Sequence, residues 1–273
     1  MQRLSRDGVA LAYEEAGSGA PPIIFVHGWS CDHTHFTPQY EYFRNGHRVV
    51  GVDLRGHGES DKPEQSYTMG SFADDLAWLC GELGIYKPVV VGHSMGGCIA
   101  LELAARRPDL PAAIVAIDSP VVPPPYIGQA FGQLLEGLRS PAFRDAARGF
   151  SANALFLATD DPEVKRRVLE GGMSYLPQSV LVSAFENIAL WDGAAAASAC
   201  TVPTLLISGA MPLADVERLR QLCPQLVTGQ TVGAGHFAQL IVPEQVNAML
   251  ERFLTTSLAQ PEATAESGST VAV

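Results

Sequence analysis

Basic residues are scarce in this chain. Its 18 Lys and Arg against 29 Asp and Glu give a net charge of −11, and no basic block interrupts its 273 residues. Nucleic acid and anionic membrane surfaces, which are held through clustered cations, are therefore not expected partners. Cysteine is scarcer still. Cys31, Cys80, Cys98, Cys200 and Cys223 are odd in number, widely spaced and without a Cys-x-x-Cys pair, which argues against a disulfide framework or a thiolate zinc site. Cys80 and Cys98 lie in apolar helical patterns, where a thiol behaves as a small hydrophobe. Also missing is any apolar run near the roughly 18 residues that span a bilayer, and Met1–Asp7 lacks the apolar core of a signal peptide. The expectation is a reduced, cytoplasmic setting. No internal repeat is visible.

What is present is apolar content: 47% of the chain, enough at this length for one large core and one domain carrying an insertion. Ile23-Ile24-Phe25-Val26 is a continuous β-branched and aromatic run ended by His27-Gly28, as a strand buried on both faces reads. Arg48–Asp53, Lys87–Gly92, Ala112–Asp118 and Thr204–Gly209 repeat the design. Between them, Phe72, Leu76 and Leu79 recur at helical spacing, and Pro243–Leu254 carries a stripe of Val246, Met249, Leu250 and Phe253. This alternation implies an α/β fold with a mostly parallel central sheet, helices on both faces and right-handed crossovers.

Residues 121–199 break the rhythm. They hold no buried-strand run but several helical ones, including Pro162–Leu169 and Ser179–Asn187, and are read as an inserted helical lid between core segments 1–120 and 200–258. The aromatics of the lid, among them Phe131, Phe143, Phe150, Phe156, Phe185 and Trp191, either line a pocket or form its own small core. From 259 onward the chain is polar, small and aperiodic, and is expected to be disordered.

Gly92-His93-Ser94-Met95-Gly96 fits Gly-x-Ser-x-Gly, a weak motif by itself. Its setting strengthens it: Val89-Val90-Val91 enters as a buried strand and Gly97-Cys98-Ile99-Ala100-Leu101 leaves as a helix, the arrangement a nucleophile elbow requires. Side chains at 92 and 96 would collide with backbone there, and the following helix N-terminus offers free N–H groups to an oxyanion. Ser94 is the candidate nucleophile.

Together with His27-Gly28-Trp29, Asp53-Leu54-Arg55-Gly56-His57-Gly58-Glu59-Ser60 and Gly235-His236, this elbow resembles the α/β-hydrolase superfamily over most of the chain, lid and tail excepted. The resemblance implies His236 as the base, on a glycine-bearing loop after the apparent last strand, Thr231–His236. His27 and His57 occupy turns typical of the fold, His93 lies inside the elbow, and His33, His35 and His47 precede the nucleophile in loops; structural or surface roles suit them better. The usual superfamily position for the acid, just past Thr204–Ser208, holds Pro212, with Asp215 displaced toward the next helix. Asp118, at the end of the preceding strand, is a position some members use and is preferred over Asp215, although it could instead serve only loop N–H groups. The oxyanion hole implied is the backbone N–H of Trp29 and of Met95. The Trp29 indole would then either narrow the site or simply pack.

The expected reaction is two-step acyl transfer on a carboxylic ester, or a related lactone or thioester, of a small to medium, largely apolar substrate. Such chemistry needs no metal or cofactor. Dehalogenases and epoxide hydrolases of similar sequence carry aspartate where this chain has Ser94. Two alternatives remain: a cofactor-free dioxygenase using a His–Asp dyad, which Trp29-Ser30-Cys31-Asp32-His33 together with an acid such as Asp118 resembles, and a non-catalytic ligand receptor. A small-molecule substrate is the expected partner, and the oligomeric state is left open.

Overall fold

Among the described residues, eight strands make one sheet in the order β1-β2-β4-β3-β5-β6-β7-β8. The computed structural model describes residues 1–258; the tail expected to be disordered, 259–273, lies outside the described residues. An antiparallel hairpin of β1 (Gln2–Arg6) and β2 (Val9–Ala16) flanks the sheet, and β2 also runs antiparallel to β4 (Val49–Asp53). From β4 through β3 (Ile23–Val26), β5 (Val89–His93), β6 (Ala113–Ile117), β7 (Thr204–Ser208) and β8 (Leu226–Gln230), all pairings are parallel. The apolar runs read as strands are buried at every residue of β3, β4, β5, β6 and β7, as strands covered by helices on both faces must be.

The last strand departs from its expected place. It lies at Leu226–Gln230, and Thr231–His236 is loop. An edge strand has one unpaired side, so β8 is only half-buried and carries polar Thr228 and Gln230; no continuous apolar run marks it. The hairpin β1–β2 leaves no such run either, since β1 is exposed or half-buried along its whole length.

Helices α1 (Thr37–Phe43), α2 (Met69–Glu82) and α3 (Met95–Arg106) follow β3, β4 and β5. Thr68 and Ser71 form a reciprocal capping box at the start of α2. Between β6 and β7 lie only helices: α4 (Pro125–Leu138), α5 (Phe143–Ala154), α6 (Pro162–Glu170), α7 (Gly172–Tyr175), α8 (Gln178–Leu190) and α9 (Gly193–Ala199). These helices fill the segment expected as a lid, 121–199. Its last helix, α9, is small-residued and packs on α3 and on α10 (Val216–Leu222), and the Trp191 indole donates to Glu102 of α3 at 2.9 Å. Two helices, α11 (Ala238–Ile241) and α12 (Pro243–Ser257), end the described residues, with Pro243 at the first turn of α12. No helix among the described residues is long and apolar enough to cross a membrane. All five cysteines are free and buried.

Candidate active site

The sheet brings three loops together at the carboxyl ends of neighbouring strands. β5 pairs with β3 on one side and β6 on the other, so the residues following these strands, Gly28-Trp29, Ser94 and Asp118, converge outside the sheet. Ser94 has φ 53° and ψ −119°, a left-handed backbone that an L side chain adopts at a cost of about 1–3 kcal/mol. Two features hold it there. The Ser94 N–H donates to Ile117 O of β6 at 2.9 Å, and α3 starts directly afterwards. The turn is tight enough that a Cβ on Gly92 would lie 2.1 Å from the Gly96 carbonyl carbon, and one on Gly96 2.0 Å from Val26 O.

Asp118 is also left-handed, at φ 42°, and is 2% exposed. Its Oδ2 accepts from His236 Nδ1 at 2.7 Å and its Oδ1 from the Gly209 N–H at 3.0 Å. That bond fixes the His236 tautomer with the proton on Nδ1, leaving Nε2 as an acceptor that meets no partner among the described residues. Asp215 lies elsewhere: it is exposed, and its carboxylate caps α10 by accepting the Arg218 N–H at 2.9 Å. A strong helix-capping residue before Val216-Glu217-Arg218 is the local feature that accounts for it.

The remaining histidines have identifiable structural partners. His27 is wholly buried; Nδ1 donates to Gly28 O at 2.8 Å while Nε2 accepts the Leu54 N–H at 3.0 Å, and burial lowers its pKa. His57 is buried beside it, and burial together with His27 pulls its pKa down to about 3. Burial likewise holds His93 well below the usual histidine range, reinforced by the neighbouring His236. His93 Nε2 donates to the His236 carbonyl at 3.0 Å, a support for the histidine loop that the sequence did not disclose, because the contact spans 143 residues. Asp32 caps the short helical turn His33–Phe36, and His33 bonds Asp53 at 2.8 Å. Of the stretch that suggested a dioxygenase, Asp32 and His33 are engaged in local structure and do not border the cavity, whereas Trp29, Ser30 and Cys31 line it.

That cavity is narrow, about 40 Å³. Ser94 and His236 open onto it, and Trp29, Phe131, Phe150, Phe185, Ile188 and Leu213 form much of its wall; among the described residues no Lys, Arg, Asp or Glu lines it. The aromatics of the insertion therefore divide. Phe131, Phe150 and Phe185 cluster edge-to-face above the serine with centroids 5.0 to 6.5 Å apart, whereas Tyr126 and Tyr175 are exposed. Trp29 joins the cluster through Phe185 at 5.0 Å, and its indole N–H donates to Leu181 O of α8 at 3.0 Å. Met95 occupies the first position of α3, where no carbonyl lies one turn back to take its N–H.

The family model described as the alpha/beta hydrolase fold matches residues 21–243, and the chain belongs to that family. A 2-(acetamidomethylene)succinate hydrolase of Mesorhizobium japonicum is 29% identical, over 93% of this chain and 94% of its own. Among solved structures, a thermophilic esterase from Thermogutta terrifontis with malate bound is 28% identical with a TM-score of 0.82, covering 93% of this chain and 98% of that one. Est816, described as an N-acyl homoserine lactone degrading enzyme, is 26% identical with a TM-score of 0.80, covering 92% and 100%. The chain is a hydrolase of the α/β fold with esterase and lactonase neighbours.

Proposed function

We propose that the chain hydrolyses an uncharged, largely apolar carboxylic ester, or a lactone or thioester of the same character, through an acyl-enzyme on Ser94. The observation that carries this is the His236–Asp118 bond of 2.7 Å beside a serine held at positive φ on the same cavity. With Nδ1–H fixed by Asp118, His236 Nε2 takes the proton as Ser94 Oγ attacks the substrate carbonyl carbon; this hydrogen bond closes as the substrate binds. The N–H groups of Trp29 and Met95 receive the oxyanion, and His236 then protonates the departing alcohol. Water enters, gives its proton to Nε2 and attacks the acyl carbon, and the acid leaves as Ser94 is restored.

The wall chemistry supports the substrate class. A carboxylate placed in an apolar cavity without a cation is strongly disfavoured, so the dicarboxylate named for the Mesorhizobium relative is not expected to be turned over here. The narrow cavity suits a short acyl group. A series of p-nitrophenyl esters of increasing acyl length, assayed on wild type and Ser94→Ala, tests the reading, with intact-mass detection of a fluorophosphonate adduct on Ser94 alongside. Turnover above about 1 per second that vanishes in Ser94→Ala is the expected result; turnover persisting in that variant, or an unlabelled Ser94, sinks it.

A further inference from the structure

The segment after α5, Leu155–Asp160, meets the loop carrying His236 at three points. The Leu155 carbonyl accepts the His236 N–H at 2.9 Å. The Asp160 carboxylate accepts the Gly235 N–H at 3.2 and 3.3 Å from its two oxygens. Phe156 stacks on Phe237 with centroids 5.1 Å apart and planes inclined by 18°. Asp160 Oδ2 also takes the Leu157 N–H at 2.8 Å, and Leu157 O accepts the Asp160 N–H at 3.2 Å, so the carboxylate closes its own segment into a turn while reaching toward the loop. The approach is close: a Cβ on Gly235 would lie 2.7 Å from Asp160 Oδ2 and 2.8 Å from Leu155 O.

Asp160 is 6% exposed and forms no salt bridge among the described residues. A buried carboxylate without a cation is costly unless N–H donors satisfy it. Here the donors are two backbone groups, one in its own turn and one in the His236 loop. We propose that Asp160 is a positioning residue, holding the His236 loop from the helical insertion. His236 is then located by three anchors: Asp118 of the sheet at Nδ1, His93 of the elbow at its carbonyl, and the insertion at its N–H and that of Gly235. The base is aligned when, and because, the insertion is docked. This rests on the reading of His236 as base for Ser94.

The test compares kcat and KM on p-nitrophenyl acetate for wild type, Asp160→Ala, Asp160→Asn, Gly235→Ala and the Asp160→Ala/Gly235→Ala double variant, with Tm for each. Misplacing a catalytic group by about 1 Å costs roughly 100-fold. Asp160→Ala is therefore expected to lose about 10- to 100-fold in kcat with KM changed less than about threefold. Asp160→Asn, which keeps an acceptor oxygen, should recover most of the loss. Gly235→Ala pushes the same contact apart and should lower kcat similarly, without an additive effect in the double variant. If Asp160→Ala does not fold, the kcat of Gly235→Ala decides alone. A variant that loses Tm while kcat stays within about twofold of wild type would make Asp160 a structural residue only and overturn the proposal. Activity surviving in a Ser94→Ala control would instead overturn the underlying reading of the site.

Discussion

Replacing Asp118 by asparagine probes the site most directly, because two contacts constrain the new amide. In the native chain Oδ1 takes the Gly209 N–H at 3.0 Å and Oδ2 takes His236 Nδ1–H at 2.7 Å. An asparagine that keeps its oxygen on Gly209 presents an NH2 group to His236, which forces the imidazole proton onto Nε2. Nε2 then cannot accept from Ser94. The opposite rotamer keeps the His236 tautomer but sets NH2 against the Gly209 N–H, two donors facing each other in a buried place, at about 1–3 kcal/mol. The first arrangement is cheaper and inactive. Wrong-tautomer substitutions of this type lower kcat about 10⁴-fold, roughly 5 kcal/mol in the barrier. Asp215→Asn is the matched control: asparagine caps a helix about as well as aspartate, so Tm and kcat should both stay near wild type. Steady-state hydrolysis of p-nitrophenyl acetate reads both. Asp118→Asn retaining more than about a tenth of wild-type kcat, or Asp215→Asn losing more than about tenfold, would refute the tautomer argument and the choice of acid.

Other consequences follow from the cavity wall and the buried histidines. Phe185→Ala removes the ring between Trp29 and Phe131, so the preferred acyl chain should lengthen, at about 3 kcal/mol of stability; an unchanged chain-length profile counts against this cavity as the acyl site. Trp29→Phe deletes the indole bond to Leu181 O, and a loss of about 0.5–1.5 kcal/mol, read as a lowered Tm, is expected with a rise in KM. His27, His57 and His93 are buried and have lowered pKa values, that of His57 about 3. The unfolded chain binds protons that these rings refuse, so stability rises with pH between the folded and unfolded values and falls as pH drops below about 6.5. His33 and His35, whose pKa values are raised, contribute slope only above that point. With its folded value near 3, His57 by itself should therefore lower stability by about 2 kcal/mol between pH of about 6.5 and about 5, with His27 and His93 adding in the same direction. A Tm constant across that interval would contradict the burial of these rings as neutral groups.

Much of the architecture was legible because it is written in local pattern. Runs buried on both faces, such as Ile23–Val26 and Thr204–Ser208, need continuous apolar side chains, and these coincide with β3 and β7. The elbow was readable for a similar reason: the glycines flanking Ser94 are demanded by backbone crowding within a single turn of chain. Edge elements leave less. β1 and β8 are half-buried, and a strand with one solvated side carries only a weak period-two trace.

Residue order alone specified the parallel sheet, the glycine-flanked turn at Ser94, and the short set of residues from which a base and an acid could come. How those residues meet is a property of the folded chain. Asp118 and His236 are 118 residues apart, His93 and His236 are 143 apart, and Asp160 reaches Gly235 across 75. Such contacts depend on where strands end and how an insertion docks. No local periodicity encodes those distances, so the contact of Asp118 with His236, the capping of α10 by Asp215, the apolar lining above Ser94 and the contacts of the insertion with the histidine loop became visible only once the chain was folded.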